Sequence, residues 1–412
     1  MTDYKIDENV FEKIISPIMP LLQEAQESLQ GDYETYTLSL TTLTNNLIFC
    51  IICRIKTIGS LVTSIKTDEI AKNLGLAVAS KSMYSEAFCR YSPEVFRKIF
   101  VTLLNNCSFL SIPEIEQLGK ILLIDGSLFP AIKTMIWAEY KKGANAIKLQ
   151  MAFELNRMLP VEFLVTSGNY SEKKFLSDII EAGVTYVCDR GYISFQIFKE
   201  ICGKQAWFII RGKNNMLYSV EKNIPINVPA QFLQFFKHIK DSSVTFINDT
   251  NQITYRIIEF SSMGENYILI TNRFDLSTYE VIMLYAYRWQ VELCFKYLKR
   301  TLTCIHLLSH DSKGIQIQFY LYMICYLLLL QFKQQCEIMN SVTNDVKEVS
   351  KSDYDSSTSP QTGRPYVCGI VSLLGERLKK FWKIGIHWLI AVRNFLFRPF
   401  SCKIAQELDE YT

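Results

Sequence analysis

No GxxxxGK[ST], GxGxxG or GxSxG motif occurs in this sequence. Readings as a kinase, a dinucleotide-dependent dehydrogenase or an α/β-hydrolase therefore lose their main support. The N-terminus, MTDYKIDENVFEKI, lacks a basic stretch followed by an apolar core, so no signal peptide is expected. The twelve cysteines show no framework spacing. The one CxxC, Cys50–Cys53, lies in the apolar stretch LIFCIICRI without a second pair and reads as helical core. Reduced thiols in a cytosol fit this usage. No uninterrupted apolar run reaches the ~20 residues of a bilayer span. The longest, Phe319–Leu330, is flanked by Gln318 and Gln331 and is expected to be a buried core helix with no membrane contact. His306 and His310 are spaced i, i+4 but lack the adjacent acid of a zinc hydrolase helix, so packing or solvent exposure is the better reading.

What is present is enough for a large core. The chain has 412 residues, 49% of them apolar and 21% charged, which suits two or three domains or one domain with large insertions. A net charge of +3 neither demands nor excludes a nucleic-acid partner.

Helical periodicity covers residues 1–115, with helix signals in SIKTDEIAKNLGL and SMYSEAFCRYSPEVFRKIFVTLL. This region is either a DNA-reading module or a plain helical bundle. From residue 116 the pattern changes. KILLIDGSLF, TMIWAEY, AIKLQMAFELN and LPVEFLVTSGNY are strand candidates. Helix, strand, helix and strand follow through SEKKFLSDIIEAG, VTYVCDRGY, ISFQIFKEICGK and AWFIIRGK. The expected class is α/β, a mixed sheet with helices over 116–212, interrupted by a β-rich insertion at 213–275 and completed by helices at 276–337. A polar stretch at 338–365 reads as a flexible linker, and 366–412 as a basic helical C-terminal region.

Three acids stand out by placement. Asp125 and Asp189 are each expected to end an apolar strand just before a glycine turn, where a carboxylate is costly unless compensated. Glu292 lies in YAYRWQVELCFKYLKR, where Tyr285, Arg288, Glu292, Lys296 and Lys299 fall near one face if the segment is a single helix. Alone, each acid is an ordinary turn residue or intrahelical ion-pair partner. Together they make an oxygen-only donor set suited to Mg²⁺ or Mn²⁺, and two such ions about 4 Å apart serve phosphodiester attack. Arg288, Lys296 and Lys299 would hold phosphates, and Tyr285 would hydrogen-bond one. Trp289 is either a core aromatic or a stacking surface for an unpaired base.

Tyr285-x2-Arg288-x3-Glu292-x6-Lys299, with LLIDGS around Asp125 and VCDRGY around Asp189, resembles the bacterial insertion-sequence DDE transposases of the Tyr-Arg-Glu-Lys branch. The resemblance covers roughly residues 60–335. It implies a ribonuclease H-like catalytic domain, beside the helical terminal regions read from the pattern, and Asp125, Asp189 and Glu292 as catalytic, metal-binding residues for Mg²⁺ or Mn²⁺. It implies DNA contacts by Tyr285, Arg288, Trp289, Lys296 and Lys299, and double-stranded DNA as partner. It further implies a homodimer in the synaptic complex, a bacterial cytosolic setting, and terminal-repeat cleavage followed by 3′-hydroxyl strand transfer. Where such relatives carry a histidine on the third core strand, this chain has Lys148-Leu149-Gln150. The same residues also admit a metal-dependent nuclease or resolvase, or a DNA-binding protein derived from a transposase.

The basic stretch between Arg377 and Arg398 is either a DNA-phosphate contact or a packing helix with a solvated basic side. Deleting 377–398 distinguishes them. A DNA contact predicts weaker binding and a shallower dependence of log K on log salt, measured by fluorescence titration of duplex DNA; an unchanged slope favours packing.

Overall fold

The structure is a computed structural model that describes residues 8–29, 38–107, 113–262 and 264–350. It divides into two compact units. One comprises Met1–Ser108, Ala131–Trp137 and Tyr297–Arg377, the other Phe109–Pro130, Ala138–Lys296 and Leu378–Thr412.

In the first unit, every described element outside short connections is helical. Starts are marked by hydroxyl caps: Ser39 Oγ accepts from Thr42 N, Thr57 Oγ1 from Ser60 N, and Ser92 Oγ from Glu94 N just before Pro93 opens its helix. The helix Leu40–Ile52 is buried along most of its length, and Cys50 lies within it. Burial pushes the Cys50 thiol up to about 12, with Cys53 adding to it, so neither redox nor metal chemistry is favoured there. The apolar run falls in the helix Ser312–Ser350, which packs on Leu40–Ile52 and Pro93–Asn105. By length and composition Ser312–Cys336 could cross a membrane, yet 67% of its apolar window is buried within the protein. The segment expected as a linker, 338–365, overlaps the end of this helix, because the helical backbone runs on to Ser350. Residues 351–365 and the expected basic region 366–412 lie outside the described residues.

The second unit is built on a ten-stranded mixed sheet with helices. Its strands are β1 (Lys120–Pro130), β2 (Glu139–Lys141), β3 (Ala144–Glu154), β4 (Leu159–Ser167), β5 (Val184–Cys188), β6 (Trp207–Arg211), β7 (Tyr218–Asn223), β8 (Lys237–Phe246), β9 (Thr254–Ser262) and β10 (Glu265–Thr271). β3 pairs antiparallel with β1 and β4, while β5 runs parallel between β1 and β6. The stretch expected as an insertion forms β7–β10. It continues this same sheet, since β10 pairs antiparallel with β6. The run TMIWAEY is only partly strand: a 3₁₀ turn at Ile136–Ala138 precedes β2.

Central strands are buried on both faces, which explains the unbroken apolar runs in ILLI and VTYVC. Leu122, Ile124, Tyr186, Cys188, Phe208 and Ile210 meet Phe175, Leu176, Ile197, Phe198 and Ile201 from helices Glu172–Asp178 and Phe195–Gly203. The Phe198 and Phe208 rings stack with centroids 4.4 Å apart. The helix Thr278–Tyr287 also packs on β5 and β6, and a Ser277–Glu280 capping box sets its start.

A buried polar network ties that start to the sheet. Arg256 on β9 forks onto Asp241 of β8 at 2.9 and 2.6 Å and donates to the carbonyls of Arg273 and Leu276. Thr278 Oγ1 donates to Asp241 Oδ2 at 2.7 Å. Removing one partner strands a buried charge, so Asp241→Ala is expected to cost about 3–5 kcal/mol in denaturant unfolding. The joint change Asp241→Leu with Arg256→Met is expected to recover most of that loss.

Candidate active site

Strand register brings the two aspartates together. Parallel pairing of β1 with β5 ends at Ile124 opposite Cys188, so Asp125 and Asp189 are the next residues on neighbouring strands. By strand alternation both leave the sheet on the same face, the one opposite Ile124 and Cys188. Asp189 follows the end of β5 as expected. Asp125 does not end its strand: β1 continues to Pro130, because β3 still offers antiparallel partners from Asp125–Met151 to Pro130–Ala146. It is the parallel pairing that stops there.

The expected single helix through 285–300 is two helices, Thr278–Tyr287 and Trp289–Arg300, joined at Arg288. Arg288 N donates to Tyr285 O at 3.1 Å and Val291 N to Arg288 O at 3.3 Å, both tight i→i−3 bonds. Tyr285 and Arg288 therefore end one helix, while Glu292, Lys296 and Lys299 belong to the next. The five residues do not form one continuous stripe. Trp289 is 42% exposed, so its reading as a core aromatic is corrected. Lys296 Nζ lies 5.5 Å from its ring centroid and the Arg288 guanidinium 5.9 Å.

Arg288 is the electrostatic centre. Its Nη2 donates to Glu292 Oε1 at 2.8 Å, and its Nη1 is 3.6 Å from Asp125 Oδ2. The guanidinium also lies 5.7 Å from the Tyr285 ring centroid. Burial opposes the arginine charge, but Tyr285, Asp125 and Glu292 more than offset it. Burial raises the Tyr285 hydroxyl, and Arg288 partly counters this without a well-aligned hydrogen bond. Burial also holds the Lys299 ammonium below its usual range. Cys188, beside Asp189, is kept as a neutral thiol by burial.

Asp125 shows the cost of this concentration of acid. Burial pushes its carboxyl up to about 6, opposed by Arg288 and by the Gly126 N–H donating to Oδ1 at 2.8 Å; Glu292 and Asp189 raise it further. Among the described residues, no three His, Cys, Asp or Glu side chains converge in a metal-holding group. Arg288 instead supplies the positive charge against Asp125 and Glu292. The three acids offer only carboxylate oxygens, a donor chemistry that fits a hard divalent cation.

The sequence reading passed over a second group of side chains behind these turns. Lys148 Nζ donates to Glu172 Oε1 at 3.1 Å; buried Gln150 pairs with Gly126 across β1–β3, and buried Tyr192 follows Gly191 in the chain. Their only signal was Lys148-Leu149-Gln150, noted there as a departure from relatives.

A family profile for the transposase DDE domain matches residues 116–328, just over half of the chain. The chain belongs to the transposase DDE domain family. It is 26% identical over 219 residues to a Sinorhizobium fredii protein named as a transposase, y4zB. That match covers 52% of this chain, and the chain spans 61% of that relative's length. A Synechocystis transposase named for insertion sequence element IS4SA is 24% identical over 60% of this chain and 70% of its own. One named for IS5377, from Geobacillus stearothermophilus, is 20% identical over 61% and 66%. A piggyBac transposase solved in a synaptic complex with hairpin DNA aligns over 99% of this chain and 85% of its own. Its 9% identity and TM-score of 0.42 carry no argument.

The raised Asp125 carboxyl has a testable sign. A folded value near 6 against 3.8 means the folded state holds the proton more tightly. This group's contribution to stability therefore falls as pH rises from about 4 to about 6 and is fully unfavourable above that. Asp125→Asn is expected to gain on the order of 1–3 kcal/mol over the parent at pH 7–8 and nothing below about pH 4, in unfolding measured across that range.

Proposed function

We propose that this protein is the DNA transposase of an insertion sequence. It would cleave at terminal inverted repeats and join the freed 3′-hydroxyl to target DNA. The observation that carries this reading is the meeting of Asp125 and Asp189 at the end of β1–β5 pairing, with Arg288 linking Asp125 to Glu292. It occurs in a chain of the transposase DDE domain family. The sheet supports a ribonuclease H-like core: β4-β3-β1-β5-β6 is antiparallel on one side of β1 and parallel on the other.

In this reading Asp125, Asp189 and Glu292 hold Mg²⁺ or Mn²⁺, in two ions. When bound, such ions polarise the scissile phosphate and lower the pKa of the attacking water or hydroxyl. The chain's own groups bind and orient. Arg288 pairs with the acids while no phosphate is near, and its planar fork suits a phosphate oxygen pair once their charge is met elsewhere. Lys296 and Lys299 add point charges along the same helix, and Tyr285 offers a hydroxyl. The exposed face of Trp289 is a stacking surface for an unpaired base. Two copies would hold two double-stranded DNA ends, in the bacterial cytosol.

The test uses a duplex carrying the inverted repeat that flanks the coding sequence, incubated with Mg²⁺. Asp125→Ala, Asp189→Ala and Glu292→Ala are each expected to abolish cleavage while retaining DNA binding. Cleavage at parental rate in all three overturns the site. Cleavage without joined products reduces the protein to a nuclease.

A further inference from the structure

The glycines that follow the two aspartates share one neighbour. A Cβ placed on Gly126 would stand 3.5 Å from Glu172 Oε1, and one on Gly191 only 2.6 Å from Glu172 Oε2. The carboxylate of Glu172 thus lies against both segments, one oxygen toward the β1 strand at Gly126 and one toward the turn at Gly191, in space that any side chain at residue 191 would need. Gly126 pairs with Gln150 across β1–β3 and alternates with Asp125, so Glu172 stands on the opposite face of the sheet from the acids.

The carboxylate is held there. Lys148 Nζ reaches Glu172 Oε1 at 3.1 Å and the Tyr170 carbonyl at 3.3 Å. The Lys148 side chain is 13% exposed and that of Glu172 31%. A partly covered pair with two anchors keeps its geometry better than a solvent ion pair. Glu172 also opens the helix Glu172–Asp178, whose Phe175 and Leu176 are fixed in the core, so its backbone cannot drift.

We propose that Glu172 is a positioning residue for the acidic site, resting on the transposase reading above. Packed against Gly126 in β1 and against Gly191 in the Arg190–Tyr192 turn, and clamped by Lys148, its carboxylate sets the two backbone segments that aim Asp125 and Asp189. A displacement of about 1 Å at reacting groups costs on the order of 100-fold in rate, so small changes in these two segments matter.

The experiment measures cleavage of the inverted-repeat duplex under saturating DNA, together with DNA affinity and thermal melting, for the full chain. Glu172→Gln is nearly isosteric and is expected to melt close to the parent and bind DNA within about twofold, with cleavage slowed about 10- to 100-fold. The charge swap Lys148→Glu with Glu172→Lys is expected to restore melting but not rate. Gly191→Ala, whose methyl must displace Glu172, is expected to slow cleavage, and combining it with Glu172→Gln should cost no more than either alone. Gly203→Ala, which has nothing within 4 Å, serves as the silent control. Parental cleavage in Glu172→Gln while Asp125→Ala is dead overturns the proposal. So does a charge swap that restores both melting and rate, since the pair would then be a structural tie only. Cleavage by Asp125→Ala itself would instead overturn the site reading beneath it.

Discussion

Everything at the candidate site depends on like charge held close in a partly covered place. Asp125 and Asp189 directly follow the same stretch of parallel pairing, and Arg288 links Asp125 to Glu292 on a helix. Burial and mutual repulsion drive the Asp125 carboxyl upward, and Arg288 is the group that opposes this most. A protein that only needed stability would place apolar residues here, because a desolvated ion pair rarely stabilises as much as good packing. The arrangement is intelligible as a site poised for positive charge, with arginine in that role in this structure.

Arg288 sits at the joint between two helices. There it is buried, flanked by the Tyr285 and Trp289 rings, with its guanidinium turned to two acids. The first of those helices is anchored by the Asp241–Arg256–Thr278 network, which links β8 and β9 to the helix start. The β-rich segment 213–275 thus supports the site structurally by extending the sheet that carries it.

A further carboxylate, Glu172, sits behind the segments that carry Asp125 and Asp189, and the two glycines explain how it fits. The site has depth on both faces of the sheet: acids and Arg288 on one, the Lys148–Glu172 pair on the other.

The sequence by itself determined the candidate acids, the basic residues around Glu292 and most of the strand and helix order, because these rest on local signals. Apolar runs bounded by turns, hydroxyl helix caps and fixed residue spacing are all readable along the chain. It did not determine that β1 outlasts its parallel partner, that 213–275 joins the main sheet, or that β7 (Tyr218–Asn223, mostly exposed) is a strand at all. Those depend on pairing between distant segments. Nor could spacing reveal the joint at Arg288, since helical periodicity persists through a single tight turn. Glu172 was invisible for the same reason: its neighbours, Gly126 and Gly191, lie far from it in sequence and meet it only once β1, β3 and β5 are paired.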